Sequence, residues 1–188
     1  MGQSNIEGRK FFFCPTLSDY DVSNLIVECP NCTTLFAACC AHQSFGGHMF
    51  EPEQPVCHHL QLVFTSGACS NNGQGYAAKA GLGIVIGVDD LFWSIAVDDT
   101  LDTAPSPRTN QRAELLAAIE GLKKLELVHQ FCSDMGDGVN HSNSATSSQR
   151  AIADEGCRAN YIVVTNSEYV VKGITEWFPE WRVSCHSG

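Results

Sequence analysis

The sequence lacks a long apolar run and an excess of basic charge. No stretch reaches the roughly 20 consecutive apolar residues that a membrane-spanning helix needs. The polar residues 1–10 and the short apolar run at 11–13 do not make a signal peptide. Lys and Arg number 11 against 21 Asp and Glu, for a formal net charge of -10. We therefore expect an intracellular protein, nuclear or cytoplasmic, whose overall charge opposes binding to phosphate backbones.

Cysteine, by contrast, is abundant and unevenly placed. Six of the 10 cysteines lie within residues 1–57. Without an export signal, metal binding is favoured over a framework of disulfides. The pair Cys29 and Cys32, separated by Pro30 and Asn31, predicts a turn that presents two thiolates to one tetrahedral Zn²⁺.

The sequence leaves two alternatives for the remaining ligands of this zinc site. Cys14 and Cys57 are the first candidates, and the group at 39–42 (CCAH) is the alternative. Buried free cysteines are the interpretation that needs no metal. A zinc ion would stabilise a segment too small to hold a core alone.

The rest of the chain shows regular patterns. Alternating, β-branched and glycine-rich stretches predict three strands with short connections, followed by a helix with apolar residues at helical spacing. A polar segment rich in Ser, Asn and Gly predicts a flexible insertion, after which an apolar run predicts a parallel strand and a last helix. The predicted order is strands at 60–65, 80–87 and 92–97, helix at 113–127, insertion at 129–160, strand at 161–165 and helix at 167–177.

These patterns predict a mixed α/β sheet covered by helices. We expect a Cys/His-rich segment at 1–59 and a second domain at 60–188. Within the second domain, an antiparallel three-strand meander joins a parallel fourth strand.

Three segments carry a resemblance to a known family. FTSGACSNNG (64–73), RTNQRAELLAAIEGL (108–122) and VVTNSEYVVKGITEWFPEW (163–181) resemble three successive motifs of ribonuclease H, of the fungal type. The resemblance covers about two thirds of the chain. It implies the ribonuclease H fold and cleavage of the RNA strand of RNA/DNA hybrids by two Mg²⁺ (or Mn²⁺) ions held by carboxylates.

The carboxylates that the resemblance implies are mostly absent. Glu114 stands at the position of the family's helix Glu, whereas Ser66 and Asn166 stand at two Asp positions. Natural degeneration and deliberate substitution would both explain the two changes, and the sequence favours degeneration. Asp102, Asp134 and Asp154 are conceivable substitutes, but we expect all three in loops.

Four polar residues match family positions that touch the minor groove of the hybrid: Asn71, Asn72, Asn110 and Gln111. Hybrids are read largely by shape and by sugar and phosphate contacts. The alternative is that Asn and Gln simply suit turns and helix starts, where Thr109 or Asn110 would cap the helix. Glu168 stands where the family often has Gln and adds negative charge.

The family pattern also continues beyond residue 188 into a further strand and helix, which carry a fourth carboxylate and a histidine. We therefore expect an open sheet edge that a protein partner or the N-terminal segment covers. The sequence predicts a ribonuclease H-like protein with impaired or lost catalysis. The alternative is a non-catalytic module that binds nucleic acid or protein.

Overall fold

The computed structural model describes residues 17, 21–38, 56, 58–103, 107–134 and 160–177. Within these ranges no helix is long and apolar enough to cross a membrane. The described elements form one mixed sheet with helices, which confirms the predicted fold class.

One long strand lies at the centre of the sheet. This strand, β3 (Leu60–Ser70), pairs antiparallel with β4 (Lys79–Val85), which pairs antiparallel with β5 (Phe92–Val97). On the other side of β3, β6 (Asn160–Val164) runs parallel to it, in register from Leu60↔Asn160 to Phe64↔Val164. The predicted meander and its parallel fourth strand are therefore present.

β3 is longer than the sequence predicts. Its pairing with β4 continues without a break to Ser70↔Lys79, past the predicted end at residues 66–67. The prediction was wrong because Gly67 is not a strand terminator here. It lies inside the strand, at a point where a helix approaches the backbone closely.

The long helix α1 (Asn110–Asp134) packs across β3 and β4. An ideal Cβ at Gly121 would lie 2.7 Å from Thr65 Cγ2 and 3.0 Å from Val63 Cγ2, so the helix approaches closely here as well. Two groups of buried apolar residues fill the space between helix and sheet. They comprise Val63, Ile84, Ile86 and Leu125, and Leu82, Val97, Ala113 and Ala117.

The helical segments also differ from the prediction in their ends. α1 extends through Asp134 and so occupies the first part of the segment predicted as an insertion; residues 135–159 of that segment lie outside the described residues. After β6, α2 (Glu168–Lys172) continues as a π-helical turn, Gly173–Trp177, in agreement with the predicted last helix. The Ser167 hydroxyl accepts a hydrogen bond from the N–H of Val170 and caps α2.

A short hairpin precedes β3 and was not predicted. It consists of β1 (Ile26–Glu28) and β2 (Leu35–Ala37). β2 joins the sheet through the pair Phe36↔Gln61. Because β6 already occupies the opposite edge of β3 at Gln61, the hairpin lies on the same side of β3 as β4.

This placement changes one expectation. The described part of the N-terminal segment, expected as one of two possible covers for an open sheet edge, does not lie beside β6. Instead the hairpin prolongs the line of β4, with the N–H of Leu35 donating to the carbonyl of Ile86 at 2.8 Å. Among the described residues, no strand pairs with the outer edge of β6.

Candidate active site

Gly67 brings the second sequence motif against the first. An ideal Cβ on Gly67 would lie 2.2 Å from the carbonyl carbon of Ala113 and 2.4 Å from the backbone nitrogen of Glu114. Only glycine leaves room for this helix backbone, because no real Cβ atom tolerates such distances. The start of α1, and Glu114 with it, is therefore held directly beside Ser66 and Gly67.

The register of the parallel strands places the third motif next to the first. The last pair in register is Phe64↔Val164, and Ser66 and Asn166 each follow two residues later. Neighbouring strands lie about 4.8 Å apart. Asn166 comes just after β6, before Ser167 caps α2. The positions Ser66, Glu114 and Asn166 therefore lie on adjacent elements, as the order of the motifs implies.

The three side chains differ in exposure and in charge. Ser66 and Asn166 are exposed, whereas Glu114 is half-buried. The Oε2 atom of Glu114 is buried and has no hydrogen-bond partner among the described residues. A buried carboxylate oxygen without a partner is unfavourable, so this atom is suited to a cation or to an external donor. Glu114 is the one carboxylate at the three positions.

The two substitutes that the structure describes, Asp102 and Asp134, do not replace the missing carboxylates. Asp102 accepts hydrogen bonds from Nε and Nη2 of Arg112, so its carboxylate is already paired with a cationic side chain. The prediction that Asp134 lies in a loop was wrong, because it ends α1, 20 residues after Glu114 and about 30 Å away along the helix axis. Asp154 lies outside the described residues.

Asn71 and Asn72 lie in the turn after β3, and their side chains form hydrogen bonds with backbone groups of the same chain. Asn71 adopts a positive φ of 50°, and its Nδ2 donates to the carbonyl of Ala77 at 3.1 Å. Asn72 Oδ1 accepts from the backbone N–H of Asn110 at 2.8 Å. The turn after β3 therefore supplies a hydrogen-bond acceptor to the start of α1.

Asn110 and Gln111 begin α1, and Asn110 is not the capping residue. Its Oδ1 accepts from the backbone N–H of Cys69 at 2.6 Å, while the Thr109 hydroxyl accepts from the N–H of Arg112 at 3.3 Å and caps the helix. The side chains of Asn110 and Gln111 are exposed. Asn72 and Asn110 therefore link the turn after β3 to the start of α1, whereas the bond of Asn71 to Ala77 does not involve the helix.

Much of the positive charge near these elements is paired with carboxylates. Arg108 Nη2 lies 2.5 Å from Asp99 Oδ1, and Lys172 Nζ lies 2.5 Å from Glu168 Oε1. A hydrogen bond and charge attraction from Glu168 raise the pKa of Lys172 above its usual range. Together with the Arg112 pair, these contacts leave less free cationic charge for phosphate groups.

A second cluster lies at the junction between the hairpin and β3. The ligand atoms of Cys29, Cys32 and His58 all lie within 4.8 Å of one another. Sequence reasoning named the two cysteines but missed His58 as a ligand. Its position two residues before β3, beside Cys57, was the available signal. Cys14, Cys57 and the alternative group at 39–42 lie outside the described residues.

Known proteins are similar to this chain over its second domain. The family model for RNase H matches residues 59–187. Ribonuclease H of Thermosynechococcus vestitus is 33% identical over 124 residues, which cover 66% of this chain and 55% of that protein. Ribonuclease H of Afipia carboxidovorans is 30% identical over 134 residues, which cover 71% of this chain and 60% of that protein.

Among solved structures, LC9-RNase H1, described as a type 1 RNase H with the type 2 active-site motif, is similar with a TM-score of 0.33 and 21% identity. That similarity covers 66% of this chain and 47% of the other. The chain spans somewhat more than half the length of the curated relatives named above. The match of the family model to residues 59–187, on a sheet with the corresponding motifs on adjacent elements, shows that the chain belongs to the ribonuclease H family.

Proposed function

We propose that this chain recognises RNA/DNA hybrids through its ribonuclease H fold, and that Mg²⁺-dependent cleavage of the RNA strand is impaired or lost. The observation that carries the proposal is the composition of the site. Ser66, Glu114 and Asn166 lie on adjacent elements, and Glu114 alone among them bears a charge. We name the RNA/DNA hybrid as the ligand because the family to which the chain belongs acts on such hybrids.

The donor set does not fit a pair of divalent cations. Two-metal sites hold their ions about 4 Å apart, and their charges must be offset by nearby carboxylates. Mg²⁺ prefers hard, charged oxygen ligands in near-ideal octahedral geometry. One carboxylate, one hydroxyl and one amide provide a single negative charge against four positive charges.

Binding is expected to rest on shape and polar contacts more than on charge. Gln111 is exposed at the start of α1, beside Asn110 and the turn that contains Asn72. Arg108 and Arg112, the basic residues of the same motif, are each paired with an aspartate. We therefore expect weak binding to hybrids with a shallow dependence on salt, because few phosphate contacts release few counterions.

A cleavage assay with restored carboxylates tests the proposal. The chain is incubated with a labelled RNA/DNA hybrid and Mg²⁺, and then with Mn²⁺. We expect no cleavage above background by the unchanged chain. The double variant Ser66→Asp, Asn166→Asp restores two carboxylates, which brings the total to three with Glu114. We expect it to gain activity, since the three positions lie on adjacent elements. The matched control adds Glu114→Gln to the double variant and should abolish that gain.

Robust cleavage by the unchanged chain, lost in Glu114→Gln, would contradict impaired catalysis. A gel-shift titration at low salt tests recognition separately. Absence of any complex with hybrid would contradict hybrid recognition and leave the alternative, a non-catalytic module for a protein partner.

A further inference from the structure

We propose that Cys29, Cys32 and His58 bind one zinc ion, which fastens the N-terminal hairpin to the first strand of the ribonuclease H fold. This inference is independent of the proposed function, because its residues take no part in the site formed by Ser66, Glu114 and Asn166. It assigns a ligand that the sequence did not identify, His58, and a structural role to the segment before β3.

The distances between the ligand atoms fit one tetrahedral ion. All three atoms lie within 4.8 Å of one another, and Cys29 Sγ lies 3.2 Å from His58 Nε2. Zinc bonds of about 2.3 Å to sulfur and about 2.0 Å to nitrogen imply separations of about 3.8 Å between two sulfurs and about 3.5 Å between sulfur and nitrogen. The 3.2 Å between Cys29 Sγ and His58 Nε2 is about 0.3 Å below the value for zinc, and the other two separations, at most 4.8 Å, exceed theirs by no more than about 1.3 Å.

The backbone between the two cysteines is folded so that both face the same point. Cys29 directly follows β1, and its carbonyl accepts a hydrogen bond from the N–H of Thr33 at 2.8 Å. The N–H of Cys29 donates to the carbonyl of Thr34 at 3.0 Å, which closes the turn from the other side. Thr33 has a φ of 54°, a conformation that β-branched residues rarely adopt. The turn thus keeps an unfavourable backbone geometry at the point where the two thiols converge.

The His58 ring is oriented toward the thiols by an aromatic neighbour. It stacks on Phe36 with ring centroids 4.3 Å apart and an interplanar angle of 4°. Phe36 is buried in β2 and cannot easily move. The stacking fixes the plane of the imidazole, so that Nε2 faces Cys29 Sγ without further adjustment.

The chemistry of the donors selects the metal. Thiolates and imidazole favour zinc, whereas Mg²⁺ and Ca²⁺ favour oxygen ligands. Cys29 is only 2% exposed, so it is shielded from water, and a cysteine that binds zinc there would have its charge offset by the ion. The three ligands leave one tetrahedral position for a further donor. The ion would thus neutralise two buried or half-buried thiolates at once.

A zinc ion here would connect two distant parts of the chain. Cys29 and Cys32 belong to the hairpin, while His58 lies just before β3, and 25 residues separate Cys32 from His58. Among the described residues, the hairpin pairs with β3 at Phe36↔Gln61 and with the segment after β4 through the bridge Thr34↔Gly87 and the hydrogen bond from Leu35 to Ile86. A metal that closes a loop of this length stabilises the fold by restricting the unfolded chain.

Metal content tests the inference directly. The full chain is expressed with zinc in the medium, dialysed and analysed by elemental mass spectrometry. We expect one zinc per chain, and at least a tenfold lower content in Cys29→Ser, Cys32→Ser and His58→Gln. The matched control is Cys69→Ser, a buried cysteine inside β3 that lies away from the cluster and should keep its zinc.

Two measurements on the unchanged chain test the inference even where a variant fails to fold. Replacement of zinc by Co²⁺ should produce thiolate-to-cobalt charge-transfer absorption, and a strong chelator should lower the midpoint of thermal unfolding. Absence of stoichiometric zinc and of the cobalt absorption in the folded, reduced chain would overturn the inference. So would full zinc content in a folded Cys29→Ser, Cys32→Ser double variant, or a Cys29–Cys32 disulfide in protein purified under reducing conditions.

Discussion

Substitution of Gly67 by Ala tests how the helix and the central strand are fitted together. The added Cβ would lie 2.2 Å from the carbonyl carbon of Ala113, 2.4 Å from its oxygen and 2.4 Å from the nitrogen of Glu114. All three are backbone atoms, so no side chain can rotate away. Ordinary contact begins at 3.4 Å, and the start of α1 would therefore have to move by about 1 Å.

The expected loss of stability follows from that displacement. Ala113 and Ala117 are 1% and 0% exposed and tie this part of α1 to the sheet. Overpacking of a core typically reduces the free energy of unfolding by about 1–3 kcal/mol. Because backbone meets backbone here, we expect Gly67→Ala to lie at the upper end, at about 3 kcal/mol. A lowering of the unfolding midpoint by roughly 10 °C should follow.

The measurement is thermal unfolding followed by circular dichroism, with Gly83→Ala as the matched control. Gly83 pairs with Ser66 in the next strand, and its Cβ would find only an ordinary contact, 3.8 Å from the carbonyl oxygen of Ser66. If Gly67→Ala is no less stable than Gly83→Ala, the close approach of α1 to β3 is wrong, and with it the placement of Glu114 beside Ser66.

Two further predictions concern the loops around the site. Asn72→Ala removes the acceptor for the N–H of Asn110 and should reduce the free energy of unfolding by about 1 kcal/mol. Asn72→Asp keeps an oxygen at that position and should cause no such loss. Equal losses of the two variants in urea titrations would contradict a stabilising hydrogen bond between Asn72 and Asn110. Hydrogen bonds from the Thr100 hydroxyl, and then from the N–H groups of Leu101 and Thr100, hold the pKa of Asp98 below its usual range. Its ionised form therefore stabilises the fold above the ordinary aspartate pKa, and this stabilisation is lost as the pH falls through the lowered value. The stability difference between the unchanged chain and Asp98→Asn should accordingly be largest at neutral pH and vanish in acid. A difference that does not change with pH would contradict stabilisation by the ionised Asp98 side chain.

The sequence predicted the order and type of the main elements well, for local reasons. The apolar spacing within α1 and the alternation within β5 are local properties that specify helix and strand without knowledge of the fold. The ends were less accurate where tertiary contacts decide them. β3 continues through Gly67 because β4 pairs with it there, and α1 continues to Asp134 beyond the predicted end at residue 127.

The hairpin of β1 and β2 escaped prediction because its strands are only three residues long. Such short strands have too few residues to show the alternation of apolar and polar side chains that indicates a strand, and they are stabilised by the strands with which they pair. His58 escaped for a related reason. Its place beside Cys57 is a local signal for metal binding but does not indicate a contact with Cys29, because that contact exists only once β2 lies beside β3 and Phe36 stacks on the imidazole.

The sequence by itself determined which chemical groups stand at the site: a carboxylate at Glu114, a hydroxyl at Ser66 and an amide at Asn166. Their charges and donor types follow from residue identity and need no coordinates. Only the tertiary structure decided that the three positions are neighbours, since this depends on the parallel register of β3 and β6 and on the missing Cβ of Gly67. It also decided that the arginines beside the site are paired with aspartates, because ion pairs depend on distances between side chains that the order of residues does not give.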